Sequence, residues 1–507
     1  MFSSPNSIGV TCEPDSDDRD SAQAREMRSS LKRGSVWALL GHGGSQFLRL
    51  AGNLVLWRLL FPDAFGLMAI VNVFMQGLAM FSDIGIGPSI IQNARGDDPD
   101  YLNTAWTIQA IRGGLLWLAA LVLAIPIAHF YGEPQFASLI PVVALGSIIS
   151  GFNSTRLATA TRQIALGRLT VMELSSQASG LVVMVILSWL TRSLWSLVIG
   201  TLVSSLVRLA LSHTYLPGIK NKFQWDTPSV HTLVRFGRWI FFSTLLGFAV
   251  MESDRLIFGK LIPMSLLGVY SIASVWSSFP ASVLDRVFNS VLFPLLSRLN
   301  REQSSFFSAS FISARKPWLI VAGWASACLI SGGPTLITFL YDKRAFSGGW
   351  MIQILACSTW LLALETANST ALLALGKPSW VAIGSAAKLV GMVIFIPIGI
   401  TLYGFPGALV GFAGSELLRY VASIVGAKTM KISGLWQDGT LSLLVAATAG
   451  AGWVTQLHIQ HLLVPFAIHQ PRMLAFIQLI GIGAAVGLAW GVYYLIIRVK
   501  ARTVSTT

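Results

Sequence analysis

The sequence predicts an all-α integral membrane protein with about fourteen transmembrane helices. Of its 507 residues, 54% are hydrophobic and 11% are charged, whereas soluble proteins carry roughly 25% charged residues. Apolar runs long enough to cross a bilayer, which takes about 20 residues, recur from residue 35 to residue 497. Too little polar surface remains to cover a soluble domain, and a disordered chain would be poorer in apolar residues and richer in charge.

The candidate helices are fourteen apolar segments in the order 35–57, 65–91, 104–130, 136–158, 171–190, 194–213, 237–259, 266–293, 317–340, 350–375, 379–400, 406–426, 440–457 and 472–497. The segments between them are short, and the longest lie near 214–236 and 297–316. Neither is long enough for an extramembrane domain of about 50 residues. Function must therefore reside mostly within the membrane.

These helices divide the chain into two lobes with flanking regions. We expect a first lobe of six helices at 34–215, a linker on the cytoplasmic side at 216–236, and a second lobe of six helices at 237–430. Two additional helices and a cytoplasmic tail occupy 431–507. Residues 1–33 are polar and acidic, unlike a cleavable signal peptide, and they predict a disordered cytoplasmic tail.

Two short motifs recur between the predicted lobes. Arg58–Gly66 resembles Lys260–Gly268, and both the basic residue and the glycine repeat at an offset of 202 positions. Thr161–Arg168 resembles Thr370–Lys377 at an offset of 209 positions. Six helices separate the members of each pair. This spacing predicts two halves in the same orientation, related by an axis along the membrane normal, as in several transporters.

Basic residues concentrate on one side of the predicted helices, the side that carries both chain ends: Arg25, Arg28, Lys32, Arg33, Arg162, Arg168, Lys220, Lys222, Arg235, Arg238, Arg298, Arg301, Arg315, Lys316, Lys377, Lys428, Lys431, Arg498, Lys500 and Arg502. The other side receives only Arg58, Arg192, Lys260, Lys343, Arg344 and Arg472. The positive-inside rule then predicts that both termini are cytoplasmic. The net charge of +14 is largely this orientation signal, so we expect no nucleic-acid partner.

Several basic residues lie inside the predicted helices, where a central charge costs on the order of 3 kcal/mol. Arg49, Arg112 and Lys388 have no acidic residue within one helical turn. Arg49 lies in a small, polar stretch of the first helix, which predicts either a water-lined face or close helix packing. Arg112 lies near a helix start, so its side chain either joins a cationic wall or reaches the membrane surface.

Acidic residues inside the predicted helices have several interpretations. Glu252 and Arg255 are three residues apart and share a helix face, as do Glu416 and Arg419, which predicts two ion pairs within single helices. Asp83 lies in a stretch weakened by glycines and a proline, where it is either a hinge element or a helix cap.

Cationic walls in a low-dielectric cleft attract anions, of which phosphate is the commonest that needs passage across membranes. We therefore predict a substrate-binding cationic cavity formed by Arg49, Arg112, Arg255, Arg286 and Lys388. The candidate coupling or structural carboxylates are Asp83, Glu252, Asp254, Asp285 and Glu365.

Catalytic and metal-binding motifs are absent from the sequence. It contains no His-x-x-x-His, no Gly-x-Ser-x-Gly and no phosphate-binding glycine loop. The three cysteines form no spacing motif, and His458, His461 and His469 form no recognisable metal site. We predict a transporter rather than an enzyme, with no cofactor and no metal.

Two stretches near the amino terminus resemble a known family. Leu59–Leu67 and Asp83–Gln92 are similar to the amino-terminal signature of bacterial polysaccharide biosynthesis flippases. These flippases are the Wzx-type branch of the multidrug/oligosaccharidyl-lipid/polysaccharide (MOP) exporter superfamily. Ala158–Arg168 and Asp254–Lys260 also resemble that family, and the resemblance covers roughly residues 35–430.

The resemblance implies a twelve-helix core of two six-helix lobes around a cationic central cavity. It also implies a substrate, an undecaprenyl-diphosphate-linked oligosaccharide. The protein would flip it across the bacterial inner membrane by alternating access, for exopolysaccharide or lipopolysaccharide synthesis. The lipid tail would stay among membrane lipids, and a polysaccharide polymerase or export machinery would be a further partner.

Two alternatives remain. A drug or ion antiporter of the same superfamily would favour intramembrane carboxylates without unpaired arginines, unlike Arg49, Arg112 and Lys388. A membrane glycosyltransferase or polysaccharide ligase usually needs a sizeable external loop for its catalytic carboxylates, and the sequence has none.

Overall fold

The computed structural model describes residues 41, 43–82, 85–163, 165–302, 306–432, 434–463 and 470–505. Every regular element in these ranges is a helix, which confirms the predicted all-α fold. The predicted tail at 1–33 and Asp83 lie outside the described residues.

Sixteen α-helices follow one another in the described ranges: α1 (43–59), α2 (Pro62–Phe81), α3 (Ile86–Gln92), α4 (Pro99–Tyr131), α5 (Phe136–Gly151), α6 (Arg156–Arg162), α7 (Leu166–Thr191), α8 (Trp195–Thr214), α9 (Thr227–Leu261), α10 (Met264–Val287), α11 (Phe293–Arg301), α12 (Phe307–Leu340), α13 (Gly348–Ala374), α14 (Pro378–Thr429), α15 (Leu435–Leu462) and α16 (Pro471–Ser505). A π-helix at Phe288–Leu292 joins α10 to α11, and a 3-10 turn at Lys343–Ala345 precedes α13.

Twelve of the fourteen predicted spans can be recognised among the described helices by length and apolar composition. Ten described helices are long and apolar enough to cross a membrane, and α5 with α6 forms a further span bent by 60°. Helix α14 has 52 residues and leaves helical geometry at Tyr403 and Gly404. A straight helix of that length would measure about 78 Å, far more than the hydrocarbon core of about 30 Å, so α14 makes two spans. The chain is therefore a multi-pass membrane protein, and α1 and α9, which occupy the positions of the two other predicted spans, are not among the described helices that are apolar and long enough by themselves.

Two helices begin ten residues earlier than predicted. Helix α9 starts at Thr227 rather than near residue 237, because Asp226 caps it by accepting a hydrogen bond from the Ser229 amide at 3.1 Å. Helix α12 starts at Phe307 rather than near residue 317, which places Arg315 inside a helix instead of in a loop. Arg315 is completely buried.

The chain between α8 and α9 is fastened to the first lobe. The backbone amides of Lys222, Gln224 and Asp226 each donate a hydrogen bond of 3.0 Å to a side chain of α4, namely Asn103, Thr107 and Thr104 respectively. These bonds pair backbone donors of a segment that has no regular secondary structure to satisfy them. They fix where α9 enters the membrane relative to the first lobe.

The two lobes touch at the far side of the membrane, the side on which α1 ends and α2 begins. Gly66 packs so closely that a Cβ there would overlap the carbonyl oxygen of Met264, and a Cβ at Gly268 would overlap that of Pro62. Both pairs repeat at the offset of 202 found in the sequence. Gly66 meets Met264, while Gly268, the counterpart of Gly66, meets Pro62, the counterpart of Met264. The contact is therefore reciprocal, as at a two-fold interface.

A polar contact reinforces the far side. Trp57 Nε1 donates to Asp342 Oδ1 at 3.2 Å, and Arg344 donates to the backbone oxygens of Leu60 and Trp57 at 2.8 and 2.9 Å. Burial raises the pKa of Asp342, but hydrogen bonds from Arg344 and Trp57 outweigh this effect and leave the pKa below its ordinary value. Asp342 is therefore ionised at neutral pH and holds Arg344 against the first lobe.

Helices α15 and α16 pack on the second lobe. The Trp490 ring of α16 covers Gly323 of α12, and its Nε1 donates to Thr448 Oγ1 of α15 at 3.2 Å. The glycine permits this approach because any side chain at that position would meet the indole ring. The two additional helices thus extend the second lobe rather than form a separate unit.

We predict that Gly66→Ala and Gly268→Ala destabilise the protein equally, because the new methyl group overlaps a backbone carbonyl in both cases. Overpacking of this kind costs about 1–3 kcal/mol. Gly114→Ala is the matched control, since a Cβ there meets nothing within 4 Å. The measurement is the unfolding temperature of the purified variants. A drop for only one of the two glycines, or the same drop for the control, would contradict the reciprocal contact.

Candidate functional site

Two adjoining cavities of about 400 and 500 Å³ run along α1. Both are lined by Ser45 and Gln177, so we treat them as one feature, the polar groove, whose other polar and charged lining residues include Arg49, Asn53, Glu173, Arg208 and Arg286. All of these residues belong to α1, α7 and α8 of the first lobe except Arg286, which α10 contributes from the second lobe. The cavity of about 400 Å³ therefore reaches the second lobe through Arg286, whereas the cavity of about 500 Å³, which Arg49 lines, is formed by the first lobe.

Arg49 is an exposed cation of the polar groove. Its positive charge interacts with that of Arg255 on α9 of the second lobe. Within the described part of the chain, no carboxylate lies within 4.0 Å of its guanidinium. Arg49 can thus offer all of its donors to an anion, since nothing described there occupies them.

Arg255 forms the ion pair that the sequence predicts with Glu252, at 2.7 Å. Asp254, on the same turn, is buried and accepts a hydrogen bond from the Tyr270 hydroxyl. The two carboxylates therefore have different partners. Arg255 keeps a buried Nε with no hydrogen-bond partner among the described atoms, so part of its donor capacity remains.

Arg286 and Asp285 lie side by side near the end of α10, and both are exposed. Arg286 lines the polar groove, whereas Asp285 accepts a hydrogen bond of 3.0 Å from Asn289 in the π-helix that follows α10. Of the five predicted cavity cations, Arg49 and Arg286 therefore line the groove, and Arg255 is close enough to interact with Arg49.

Arg112 has a different environment from the one predicted for a cavity cation. Its Nε donates to Ser82 Oγ at 2.9 Å and its Nη2 donates to the Ala79 carbonyl at 2.5 Å. These acceptors belong to the carboxyl end of α2, where carbonyl groups have no helical partner. The chain then continues through Gly85, whose φ of 63° suits glycine. Arg112 thus caps a broken helix.

Lys388 is also not an unpaired cation, contrary to our sequence-based expectation. It is buried, and its ammonium pairs with Glu416. Arg419 pairs with Glu365 of α13 at 3.3 Å, and Ser369 donates a hydrogen bond to the same carboxylate. The predicted Glu416–Arg419 pair is therefore wrong. Although the two residues share a helix face, each reaches a charge on a neighbouring span, which forms a compact four-charge cluster.

The sequence did not predict a second buried network of hydrogen bonds and charges. Arg315 donates to Asp438 Oδ1 at 2.7 Å, to Gln437 Oε1 at 2.8 Å and to Asn368 Oδ1 at 3.0 Å. Tyr420 donates to the other oxygen of Asp438 at 2.9 Å. The network joins α12, α13, α14 and α15, so it holds α15, the first of the two additional helices, to the second lobe. The sequence placed Arg315 in a loop, and no local spacing links it to Asp438.

The polar groove also contains an ion pair that remains accessible. Glu173 of α7 pairs with Arg208 of α8 at 3.2 Å, and both side chains remain about 40% exposed, at 38% and 43% respectively. Guanidinium groups that face a groove inside a membrane can bind phosphate or carboxylate groups by paired hydrogen bonds. Among the described residues, no group of three His, Cys, Asp or Glu side chains could hold a metal ion.

A family model described as polysaccharide biosynthesis protein matches residues 55–344, more than half of the chain. The chain belongs to this family. Its fold is also similar to the folds of solved membrane transporters. A structure titled lipid II flippase MurJ, inward closed conformation, superposes with a TM-score of 0.70 at 12% identity and covers 92% of this chain and 99% of that chain. An inward-facing MATE multidrug resistance transporter of the MOP superfamily gives a TM-score of 0.59 at 14% identity, with 78% and 95% covered.

Relatives of this polysaccharide biosynthesis protein are named for transport or for polymer synthesis. The succinoglycan biosynthesis transport protein ExoT of Rhizobium meliloti is 23% identical over 66% of this chain and 67% of its own length. The lipopolysaccharide biosynthesis protein WzxC of Escherichia coli is 22% identical over 54% of this chain and 56% of its own. The teichuronic acid biosynthesis protein TuaB of Bacillus subtilis is 21% identical over 58% and 61% respectively. The matched part of the chain thus spans between 56% and 67% of these relatives.

We predict that Lys388→Met strongly lowers the amount and unfolding temperature of this family member, because it leaves Glu416 buried without its partner. Breaking a buried pair in this way costs about 3–5 kcal/mol. Adding Glu416→Gln should recover much of the loss, since it removes the stranded charge. Lys377→Met, at an exposed loop residue, is the control and should have little effect. A stable Lys388→Met protein that fails only in transport would restore Lys388 to the substrate site.

Proposed function

We propose that this protein is a flippase for undecaprenyl-diphosphate-linked oligosaccharides in the bacterial inner membrane. It would supply repeat units for exopolysaccharide or lipopolysaccharide synthesis. The proposal draws on the names of the relatives and on the fold shared with MOP transporters. The observation that carries it is the polar groove, into which the first lobe contributes Arg49 and the second lobe contributes Arg286.

The polar groove is complementary to the diphosphate group of such a substrate. A guanidinium can donate two parallel hydrogen bonds to phosphate oxygens, and its charge is only partly screened in a low-dielectric groove. Arg49 has free donors on one lobe, and Arg286 approaches from the other. A diphosphate bound between them would attract both guanidinium groups and so bring the two lobes closer together. The polyprenyl tail would stay in the lipid.

Alternating access requires that one side of the protein be closed while the other admits substrate. The reciprocal Gly66 and Gly268 contact and the Asp342–Arg344 pair join the lobes at the far side. The polar groove extends instead toward the beginnings of α1 and α7, near Gly41 and Thr170. If both termini are cytoplasmic, as the Lys and Arg distribution predicts, the groove faces the leaflet on which lipid-linked sugars are assembled.

A cation exporter is a weaker candidate function for the same fold. Its substrate would meet Arg49 and Arg286 in the groove, with Glu173 already paired to Arg208. Like charges repel most strongly where water is scarce, so the groove disfavours a cationic drug. The flippase proposal accounts for the exposed guanidinium groups directly.

We predict that Arg49→Ala abolishes glycan export while the protein still inserts in normal amount, and that Arg49→Lys recovers export only partly. A lysine ammonium carries the charge but cannot form the paired hydrogen bonds of a guanidinium. Export per unit of membrane protein, in cells lacking any other flippase for the same glycan, is the measurement.

The control for Arg49 is Arg298→Ala, which removes an exposed arginine outside the groove that pairs with Glu302. It should leave export unchanged. If Arg49→Ala instead lowered the amount of folded protein, Arg49 would have a structural role. Normal protein with normal export would contradict the assignment of Arg49 to the substrate site.

A further inference from the structure

The Glu173–Arg208 pair differs from the other ion pairs that lie within the membrane-spanning helices. Arg315 with Asp438 and Lys388 with Glu416 are almost completely buried. Glu173 and Arg208 are 38% and 43% exposed and line the polar groove. A pair whose role is to join two helices gains most from burial away from competing ligands. This pair is instead accessible to whatever enters the groove.

The carboxylate of Glu173 is held in place from two helices. Gln177, one turn further along α7, donates to Glu173 Oε1 at 3.1 Å. Ser45 of α1 in turn donates to Oε1 of the Gln177 side-chain amide at 2.9 Å. These bonds orient the free oxygen Oε2 toward Arg208 Nη1. Glu173 is therefore a fixed anion inside an otherwise cationic groove.

Arg208 has donors that Glu173 does not use. Its Nε is buried and has no hydrogen-bond partner among the described atoms, while one Nη faces Glu173. Arg286 of the second lobe lines the same cavity of about 400 Å³. Two guanidinium groups and one carboxylate give the cavity a net charge of about +1, with one arginine only half neutralised.

We propose that Glu173 is a built-in counter-anion that competes with a phosphate-bearing substrate for Arg208. The inference rests on the proposed flippase function and adds a residue that sets affinity. A phosphate group and a carboxylate accept the same guanidinium hydrogen bonds, so binding displaces Glu173 and release allows it to return. Arg208 then never stands unpaired in the membrane, and the substrate is held loosely enough to leave.

A loose site matters because a translocation site must bind well enough to load and weakly enough to unload. Without Glu173, Arg208 and Arg286 would both be available to the phosphate oxygens. The substrate would then bind more tightly and leave more slowly. Glu173→Gln should therefore raise anion affinity and lower turnover. A carboxylate that merely ties α7 to α8 would not produce this combination.

The test measures the binding of inorganic pyrophosphate to the purified full-length protein by calorimetry at low salt. We expect Glu173→Gln to bind pyrophosphate about tenfold more tightly than wild type, a change that corresponds to about 1.4 kcal/mol. Adding Arg208→Ala to Glu173→Gln should remove that gain. Glu302→Gln, which neutralises an exposed carboxylate paired with Arg298 at 2.7 Å, is the matched control and should bind like wild type.

A second variant guards against poor folding of Glu173→Gln. Gln177→Ala releases the Glu173 carboxylate without changing the charge, and it should raise pyrophosphate affinity about threefold, or roughly 0.7 kcal/mol. Export per unit of protein should fall in both variants. Equal pyrophosphate affinity in wild type and both variants, or the same gain in Glu302→Gln, would overturn the inference about Glu173 but leave the proposed function standing. If wild type and all variants failed to bind pyrophosphate, both this inference and the proposed function would be contradicted.

Discussion

A charged side chain inside the hydrocarbon layer must either pair with an opposite charge or face water, because an isolated charge there costs several kcal/mol. This constraint divides the intramembrane charges of this protein into two groups. Arg315, Lys388 and Arg419 are buried or nearly so and each has a carboxylate partner on another membrane span. Arg49, Arg208 and Arg286 line the polar groove. Only the second group is available to a ligand.

The buried pairs stabilise the fold, whereas the groove cations are the ones that can serve function. The buried pairs and their hydrogen bonds join α12, α13 and α14 of the second lobe to α15, the first of the two additional helices. The groove cations come from α1, α8 and α10, namely Arg49, Arg208 and Arg286. The repeated glycines Gly66 and Gly268 join the lobes at the far side by close backbone contact, which leaves the charged groove as the part in which a substrate can act.

Sequence reasoning recovered the fold because the apolar runs and the offset of 202 reflect the whole architecture. It also found the Glu252–Arg255 pair, whose partners are three residues apart on one helix. The same spacing misled for Glu416 and Arg419, since adjacent spans offered closer partners in Lys388 and Glu365. Arg315 and Asp438 are 123 positions apart, so only the packing of helices shows that they meet. Side-chain partners between spans depend on helix rotation, which the sequence alone does not specify.

The most direct test of the account is lipid movement in liposomes that contain only the purified protein. A polyprenyl diphosphate carrying a fluorescent sugar would be placed in one leaflet, and its arrival in the other would be followed by its accessibility to an impermeant quencher. The account predicts movement with wild-type protein and little with Arg49→Ala, in vesicles with equal amounts of protein. Movement at the same rate in protein-free vesicles, or equal movement with both proteins, would contradict it.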